Sequence, residues 1–314
     1  MYKKTVLTIL IGICSLVSWG QKAGEYTNNH KKNMKTLDAL VKSYRTIPNY
    51  YIYFTNVGCL YEIRVNDILK AKIWEEGHSG GTSTPINSAI LCSGRQRVSV
   101  RLYPEPGDSL ITSIEPFTLK IGYKDFAEES PRPWHWVWEM PTIEMPEGGV
   151  PYYEFEGEFE ATVPRVVTGW SDCIDLRNIP DIEQRVVEKF KEIRELMKSK
   201  KIEQLTELLA YKRFDIAKAF HETSRELDWK LRGLNRELEE AYPEDWQEIE
   251  DYELVFYADG RLATLESKKE GGYKSALLRI WEEDIDEKYY YLRAVVYEMR
   301  LGIRKGTDEL IPIR

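Results

Sequence analysis

The stretch DIEQRVVEKFKEIRELMKSKKIEQLTELLAYKRFDIAKAFHETSRELDWKLRGLNRELEEAY, residues Asp181 to Tyr242, determines the fold class that we predict. Its apolar side chains recur every three or four residues, which is the period of an amphipathic helix. The positions that carry this period are Ile182, Val186, Phe190, Ile193, Met197, Leu227, Leu231, Leu234 and Leu238. Apolar and polar residues alternate on both sides of the stretch, as they do in strands. A helical block between two strand-rich regions predicts two domains.

Three helices are expected within this block. Asp181 and Gln184 have the spacing of a capping box, so the first helix is predicted to begin there and to end near Lys198. A second, short helix is expected over residues 202–209. The third is predicted to run from Phe214 to Tyr242, where a proline follows.

The alternating segments predict antiparallel β structure. After the helices, alternation resumes around the hairpin signal Asp259-Gly260, so residues 181–314 are expected to form an α+β domain of helices and then an antiparallel meander. Before the helices, residues 49–165 are expected to form an all-β antiparallel sandwich. Its clearest strand runs from Tyr153 to Val163 and has glutamates on one face and apolar residues on the other. This pattern is typical of a sheet with one side in solvent.

The first residues have the pattern of a secretory signal. Residues 1–20 combine a charged start with a short apolar core, and we expect cleavage after Gly20. A lipoprotein would need a small residue before Cys14, where the chain has Ile13, so lipidation is not expected. The signal predicts a periplasmic or secreted protein, and no later run is apolar enough to predict a transmembrane segment.

Two further segments lie outside the predicted domains. Residues 21–48 are expected to be a polar leader that packs loosely on the first domain, with a short amphipathic helix as the alternative. Residues 166–180 are expected to be the linker between the domains.

Composition excludes several classes of partner. The formal net charge of −8 argues against nucleic acid, and the 42% hydrophobic content supports folded cores. No Cys or His spacing matches a zinc site, and we predict neither a metal nor a cofactor. Cys59 and Cys92 either form a disulfide or, with Cys173, are buried thiols.

Two short matches to catalytic motifs are interpreted as coincidental. Gly77-His78-Ser79-Gly80-Gly81 fits G-x-S-x-G, but a nucleophile elbow needs a helix after it, and the Gly, Ser and Thr residues up to Pro85 predict a loop. His221-Glu222 begins like H-E-x-x-H, but Arg225 stands where the second histidine ligand would be.

The segment Trp134-His135-Trp136-Val137-Trp138 is the most unusual in the chain. In a regular strand, Trp134, Trp136 and Trp138 would share one face. Such a row can stack on sugar rings or anchor a protein partner, because indoles bury a large area at a small entropic cost. The alternative is that the row closes one end of the sandwich or docks it onto the second domain.

A second candidate site lies in the last strands. Arg279 and Arg293 occur among apolar and aromatic residues, and Arg293 shares a predicted face with Tyr291. A cation among phenols on a concave sheet can bind an anionic ligand. The alternative is a solvated face, or ion pairs with Glu266 or Glu298.

Two resemblances accompany these predictions. Helical residues 190–197 and 202–209, followed by the meander from Leu254 to Met299, resemble the cystatin-like α+β families, in particular the NTF2-like group. In that group helices precede a curved antiparallel sheet. Residues 56–104 are similar to immunoglobulin-like β-sandwiches of secreted bacterial proteins. The NTF2-like group includes both enzymes and binding domains, so the resemblance implies a fold without assigning a functional residue.

These observations favour a secreted or periplasmic, non-enzymatic protein that binds another protein. An immunity or inhibitor protein fits this description, and its acidic surface would suit a basic partner. Two alternatives remain open. One is a glycan-binding module that uses Trp134, Trp136 and Trp138. The other is a small-molecule enzyme or ligand binder with a pocket near Arg279 and Arg293 in the α+β domain.

Overall fold

The computed structural model describes residues 34–56, 59–73, 80–112, 117–269, 275–286 and 289–314. Its helices are α1 (residues 34–43), α2 (Ile182–Lys198), α3 (Ile202–Leu208), α4 (Ala210–Ala219) and α5 (Ser224–Glu240). Its strands are β1 (Pro48–Asn56), β2 (Leu60–Val65), β3 (Ile68–Ile73), β4 (Gly80–Pro85), β5 (Gly94–Tyr103), β6 (Thr118–Asp125), β7 (His135–Glu139), β8 (Tyr153–Ala161), β9 (Tyr252–Tyr257), β10 (Leu262–Ser267), β11 (Leu278–Asp286), β12 (Tyr289–Val296), β13 (Leu301–Ile303) and β14 (Leu310–Pro312). This order confirms an antiparallel β unit followed by an α+β unit.

The first unit is a sandwich of two four-stranded antiparallel sheets. We call the sheet with the order β4-β1-β6-β7 the front sheet and the sheet with the order β3-β2-β5-β8 the back sheet. Alternate residues of both sheets point inward, and Ile52, Ile121, Ile63 and Val100 are completely buried between them. The glutamates of β8 lie on the wet face of the back sheet, as the alternation predicts.

The prediction of a loop that extends to Pro85 is wrong for residues 80–85. Residues Gly80–Pro85 form β4, which pairs antiparallel with β1 at the edge of the front sheet. Small and hydroxyl-bearing residues are typical of loops, but an edge strand has solvent on one side and tolerates them. The first half of the G-x-S-x-G match, residues 77–79, lies outside the described residues.

In the second unit, α2 packs on the sheet with the order β14-β13-β10-β9. Val186, Phe190 and Ile193 are completely buried in this core, together with Leu265 and Leu301. Strands β11 and β12 form a separate two-stranded ribbon. No helix among the described residues is both long enough and apolar enough to cross a membrane.

The predicted third helix is two helices, α4 and α5. The chain turns between them at His221, whose φ angle is +56°, and Thr223 then starts α5. The Thr223 hydroxyl accepts a hydrogen bond from the Glu226 backbone N–H, and the Glu226 carboxylate accepts one from the Thr223 N–H. This capping box ends the helical continuity that the apolar period predicted, because it satisfies the donors of a new helix start.

The capping box predicted at Asp181 is absent. The Asp181 side chain makes no capping hydrogen bond, and Gln184 donates instead to Glu188, 2.9 Å away. Helix α2 nevertheless begins at Ile182 as expected, because burial of its apolar face stabilises it without the cap.

The predicted linker, residues 166–180, is packed against both units. The Val167 N–H donates to the Leu91 carbonyl of the sandwich, and the Leu176 N–H donates to the Gly260 carbonyl of the β9–β10 turn. The sandwich core continues across this boundary, since its buried cluster includes Trp170, Cys173, Tyr257, Ala258, Leu262 and Ile313. The two units therefore share buried surface.

Helix α1 packs on the helices of the second unit. Leu37 is buried in a small cluster with Ala217 and Leu227. The Asp38 carboxylate accepts hydrogen bonds from the Ser224 N–H at 2.8 Å and from its hydroxyl at 2.7 Å, which lowers the pKa of Asp38. The described part of the predicted leader thus supplies a hydrogen-bond acceptor, Asp38, to the first turn of α5.

The cysteines among the described residues form no disulfide. Cys59, Cys92 and Cys173 all carry thiols, so Cys59 and Cys92 are not joined. Cys59 and Cys173 are buried, as in the thiol alternative, whereas Cys92 is exposed.

Candidate functional site

The outer surface of the front sheet carries an aromatic cluster. Alternation along β1 sends Ile52 into the core and Tyr51 and Tyr53 to the outside. Trp136 of β7 and Trp134, the residue before β7, lie on the same outer surface. We call the side chains Tyr51, Tyr53, Trp134 and Trp136 the aromatic face. Trp136 is 48% exposed and Tyr53 is 37% exposed, so the face is open to a partner.

The four rings of the aromatic face contact one another. The indoles of Trp134 and Trp136 stack with centroids 4.9 Å apart and an interplanar angle of 12°. Tyr51 meets Trp134 edge-on at 5.5 Å, and Tyr53 meets Trp136 in the same way at 6.1 Å. The Lys124 ammonium lies 4.8 Å from the Trp134 ring centre. Stacked and edge-on ring contacts and a cation over a ring are mutually favourable, so they stabilise this arrangement of the aromatic side chains.

Gly122 of β6 makes room for the Trp136 indole. A Cβ atom at this position would lie 2.8 Å from Cε3 of Trp136 and 2.9 Å from the His135 carbonyl oxygen. Both distances are shorter than real side chains allow, so only glycine lets the indole lie this close to the sheet.

The expectation that all three tryptophans share a face is wrong. A register shift between Ile121 and Gly122 places Trp138 opposite Ile121 and Trp136 opposite Gly122, so that Val137 is the extra residue of a β-bulge. Trp138 therefore points to the inner side of the sheet. It packs against Phe155 with ring centroids 6.0 Å apart.

His135 is also absent from the aromatic face. Its ring stacks on the inward-facing Tyr123 at 4.7 Å, and its Nε2 lies 3.0 Å from the Glu128 carboxylate. These contacts give His135 a structural role at the end of the sandwich.

The rim of the aromatic face is polar. The hydroxyls of Thr55 and Thr118 share a hydrogen bond of 2.7 Å, and Lys120 pairs with Glu139 at 2.9 Å. Partial burial raises the pKa of Tyr51, so its phenol is neutral at physiological pH. An apolar centre with a charged and hydroxyl-bearing rim is the usual composition of a recognition surface.

Arg279 takes part in a buried ion pair. Its guanidinium donates to the Asp245 carboxylate at 3.1 Å and lies 3.7 Å from Glu237. It is also 5.0 Å from the Trp281 ring centre and 5.7 Å from that of Trp246. With 5% of its surface exposed, Arg279 joins the β11–β12 ribbon to the segment after α5.

Arg293 and Tyr291 follow Arg279 on the same side of the β11–β12 ribbon. In the ladder Arg293 is opposite Trp281 and Tyr291 is opposite Glu283, two and four residues from Arg279. Arg293 is exposed, whereas the side chain of Tyr291 lies outside the described part of the chain. Arg279 does form an ion pair, but with Asp245 and Glu237 and not with Glu266 or Glu298, which the sequence suggested.

The H-E-x-x-H match is structural. His221 is buried, and its Nε2 donates to the Pro48 carbonyl at 3.2 Å. Burial lowers the pKa of His221 to about 4, so the ring is neutral. Glu222 pairs with Lys230. In the described part of the chain, no three or more His, Cys, Asp or Glu residues form a group suited to a metal ion.

Tyr51 and Tyr53 are the members of the aromatic face that sequence reasoning missed. The alternation of β1 placed them on one side of a strand, but nothing local indicated that β6 would bring them next to Trp134 and Trp136. The available signal was that two tyrosines stand two positions apart in an alternating segment.

Comparison with known proteins returned no match to a family model, to a curated protein or to a solved structure. The resemblances to the NTF2-like group and to immunoglobulin-like sandwiches therefore stay predictions.

Proposed function

We propose that this chain is a non-enzymatic binding protein that acts outside the cytoplasm and engages another protein through the aromatic face. The stacked Trp134–Trp136 pair on the outer surface of the front sheet, with Trp136 48% exposed, carries this proposal. Tryptophan and tyrosine dominate the energetics of protein interfaces because they bury much area with few rotatable bonds. The contacts among the four rings support a pre-ordered surface, which lowers the entropic cost of binding.

The partner that we propose is a basic protein of the cell envelope, with this chain acting as an immunity or inhibitor protein. The formal net charge of −8 supports this choice, because opposite charge accelerates encounter and disfavours acidic competitors. A signal sequence at residues 1–20 would bring both proteins into the same compartment.

The test is a pull-down from envelope extract with the wild type, Trp136→Ala and Trp229→Ala. Trp229 of α5 is 71% exposed and lies off the aromatic face, so it is a matched control. We expect the wild type and Trp229→Ala to retain the same basic protein. For Trp136→Ala we expect affinity for it to fall roughly thirtyfold or more, as for a central interface tryptophan. Equal recovery by all three proteins would contradict the proposal.

A glycan is the second candidate ligand, favoured by the hydroxyls and the ammonium group that surround the indoles. Sugar rings stack on aromatic faces, and their hydroxyls pair with groups such as Lys124 and Thr118. Retention of the wild type on an immobilised polysaccharide, lost in Trp136→Ala and kept in Trp229→Ala, would favour this candidate. Trp138 has no part in it, because the bulge turns that indole inward.

A further inference from the structure

A cavity lies between the end of helix α1, the segment of residues 164–166 and the end of α4. Its volume is about 510 Å³, which is within the usual range for small-molecule sites. We call it the basic cavity. Its lining residues are Leu40, Ser43, Tyr44, Arg45, Thr46, Pro164, Arg165, Val166 and Lys218.

Among the described residues, the lining of the basic cavity has three cations and no carboxylate. This composition is unusual in a chain whose formal net charge is −8. The cleft of about 420 Å³ between the back sheet and the β9–β10 turn is different, because a carboxylate neutralises each of its arginines. The pairs there are Arg64 with Asp67, Arg97 with Asp259 and Arg177 with Asp175.

Arg165 supplies a fixed positive charge at the base of the basic cavity. Its guanidinium donates to the backbone carbonyls of Ile90 at 2.9 Å, Ala219 at 2.7 Å and Lys218 at 3.1 Å. Arg165 is 6% exposed and forms no ion pair with a carboxylate of the described residues. Burial lowers its pKa to about 10, which is still well above physiological pH. The carbonyls orient the group, and Asp215, a carboxylate that acts on it at longer range, is itself paired with Arg314.

The two other cations that line the cavity are Arg45 and Lys218. Arg45 is exposed, and the Lys218 ammonium lies 5.5 Å from the Phe214 ring centre. Neither forms an ion pair with a carboxylate in the described part of the chain, so both retain donors for a ligand. Partial burial raises the pKa of Tyr44, which keeps the phenol beside them neutral at physiological pH.

We propose that the basic cavity binds a small organic anion that carries phosphate or carboxylate groups. Arg45 and Lys218 would contact the oxygens of the anion directly. Arg165, at the base of the cavity, would add electrostatic attraction for its negative charge. Guanidinium and ammonium groups form charge-assisted hydrogen bonds with such oxygens. The site is separate from the aromatic face and does not depend on the function proposed for it.

The experiment is calorimetric titration of the full chain with pyrophosphate and with citrate, at constant ionic strength set by chloride. We expect saturable binding of at least one of them by the wild type. Arg45→Gln and Lys218→Gln each remove one charged donor and are expected to weaken binding roughly tenfold. Lys42→Gln is the matched control, because Lys42 is exposed on α1 next to the cavity without lining it.

Each outcome decides the proposal. Binding of pyrophosphate alone identifies a phosphate-bearing ligand, binding of citrate alone identifies a carboxylate-bearing one, and either supports the site. The proposal is overturned if neither anion binds above the chloride background. It is also overturned if Lys42→Gln weakens binding as much as Arg45→Gln, because attraction would then come from diffuse surface charge.

Discussion

At the scale of the residue, a single glycine determines the shape of the aromatic face. Gly122 has no side chain, and the Trp136 indole occupies the space where a Cβ atom would be. The indole then reaches Trp134 and Tyr53 at stacking and edge-on distances. The residue that makes the site possible is thus one that does not itself offer a binding group.

We predict that Gly122→Ala destabilises the protein by about 2 kcal/mol, because the new Cβ would overlap the Trp136 ring and the His135 carbonyl. Urea unfolding gives the stability, and near-ultraviolet circular dichroism reports the loss of the Trp134–Trp136 stack. Gly233→Ala is the control. No atom of the described residues lies within 4 Å of a Cβ there, so this helix substitution is expected to stabilise by up to ~1 kcal/mol. Equal effects of the two substitutions would show that the close approach is unimportant.

At the scale of the element, two short irregularities determine which residues share a strand face and where a helix ends. The regular apolar periods predict neither of them. The bulge at Val137 separates Trp136 from Trp138, which the strand period alone would place on one face. The capping box of Thr223 and Glu226 divides what the helix period predicts as one helix. Both irregularities are local in sequence, but each depends on hydrogen bonds that the apolar pattern does not encode.

We predict that Thr223→Ala destabilises the protein by about 1 kcal/mol, because it removes the acceptor for the Glu226 N–H at the start of α5. Asp181→Ala provides the comparison, since Asp181 makes no capping bond to α2. Its effect is expected to stay within about 0.5 kcal/mol. Thermal unfolding of both variants measures the difference, and the prediction fails if Asp181→Ala is the more destabilising of the two.

At the scale of the whole molecule, a buried polar network joins the two units. The Tyr257 hydroxyl donates to the Glu266 carboxylate, which also accepts from Lys72 of β3 at 2.8 Å. The guanidinium carbons of Arg64 and Arg300 each lie 5.0 Å from the Tyr257 ring centre. Burial raises the pKa of Tyr257, with Glu266 adding to the effect. Charges from both units therefore compensate one another inside the shared core.

We predict that Glu266→Gln destabilises the protein by about 3 kcal/mol, because it leaves Lys72 without its closest carboxylate in a buried setting. The control is Glu154→Gln, which breaks an exposed pair with Arg101 and is expected to cost less than ~1 kcal/mol. Urea unfolding followed by fluorescence measures both. An effect of Glu266→Gln no larger than that of the control would mean that the network does not stabilise the interface.

The candidate site shows how far the sequence predicts function. Trp134 and Trp136 were identified from their spacing and are on the aromatic face, whereas Trp138 and His135 were identified in the same way and are not. Arg279 was identified as a ligand-binding cation but pairs with Asp245, more than thirty residues earlier in the chain. Burial and pairing of a polar side chain depend on distant segments, so a local pattern does not predict them.

By itself, the sequence determined the order of the elements, because apolar periods of two and of three to four residues decide which face of each segment is buried. The sandwich, the helices that follow it and the final strands were all predictable on that basis. Only the tertiary structure decided which exposed side chains meet. Strand register brings Tyr51 to Trp134, and packing of the segment around Arg165 against the ends of α1 and α4 brings Arg45 and Lys218 close to it. These encounters join residues far apart in the chain, and they depend on packing summed over the whole molecule.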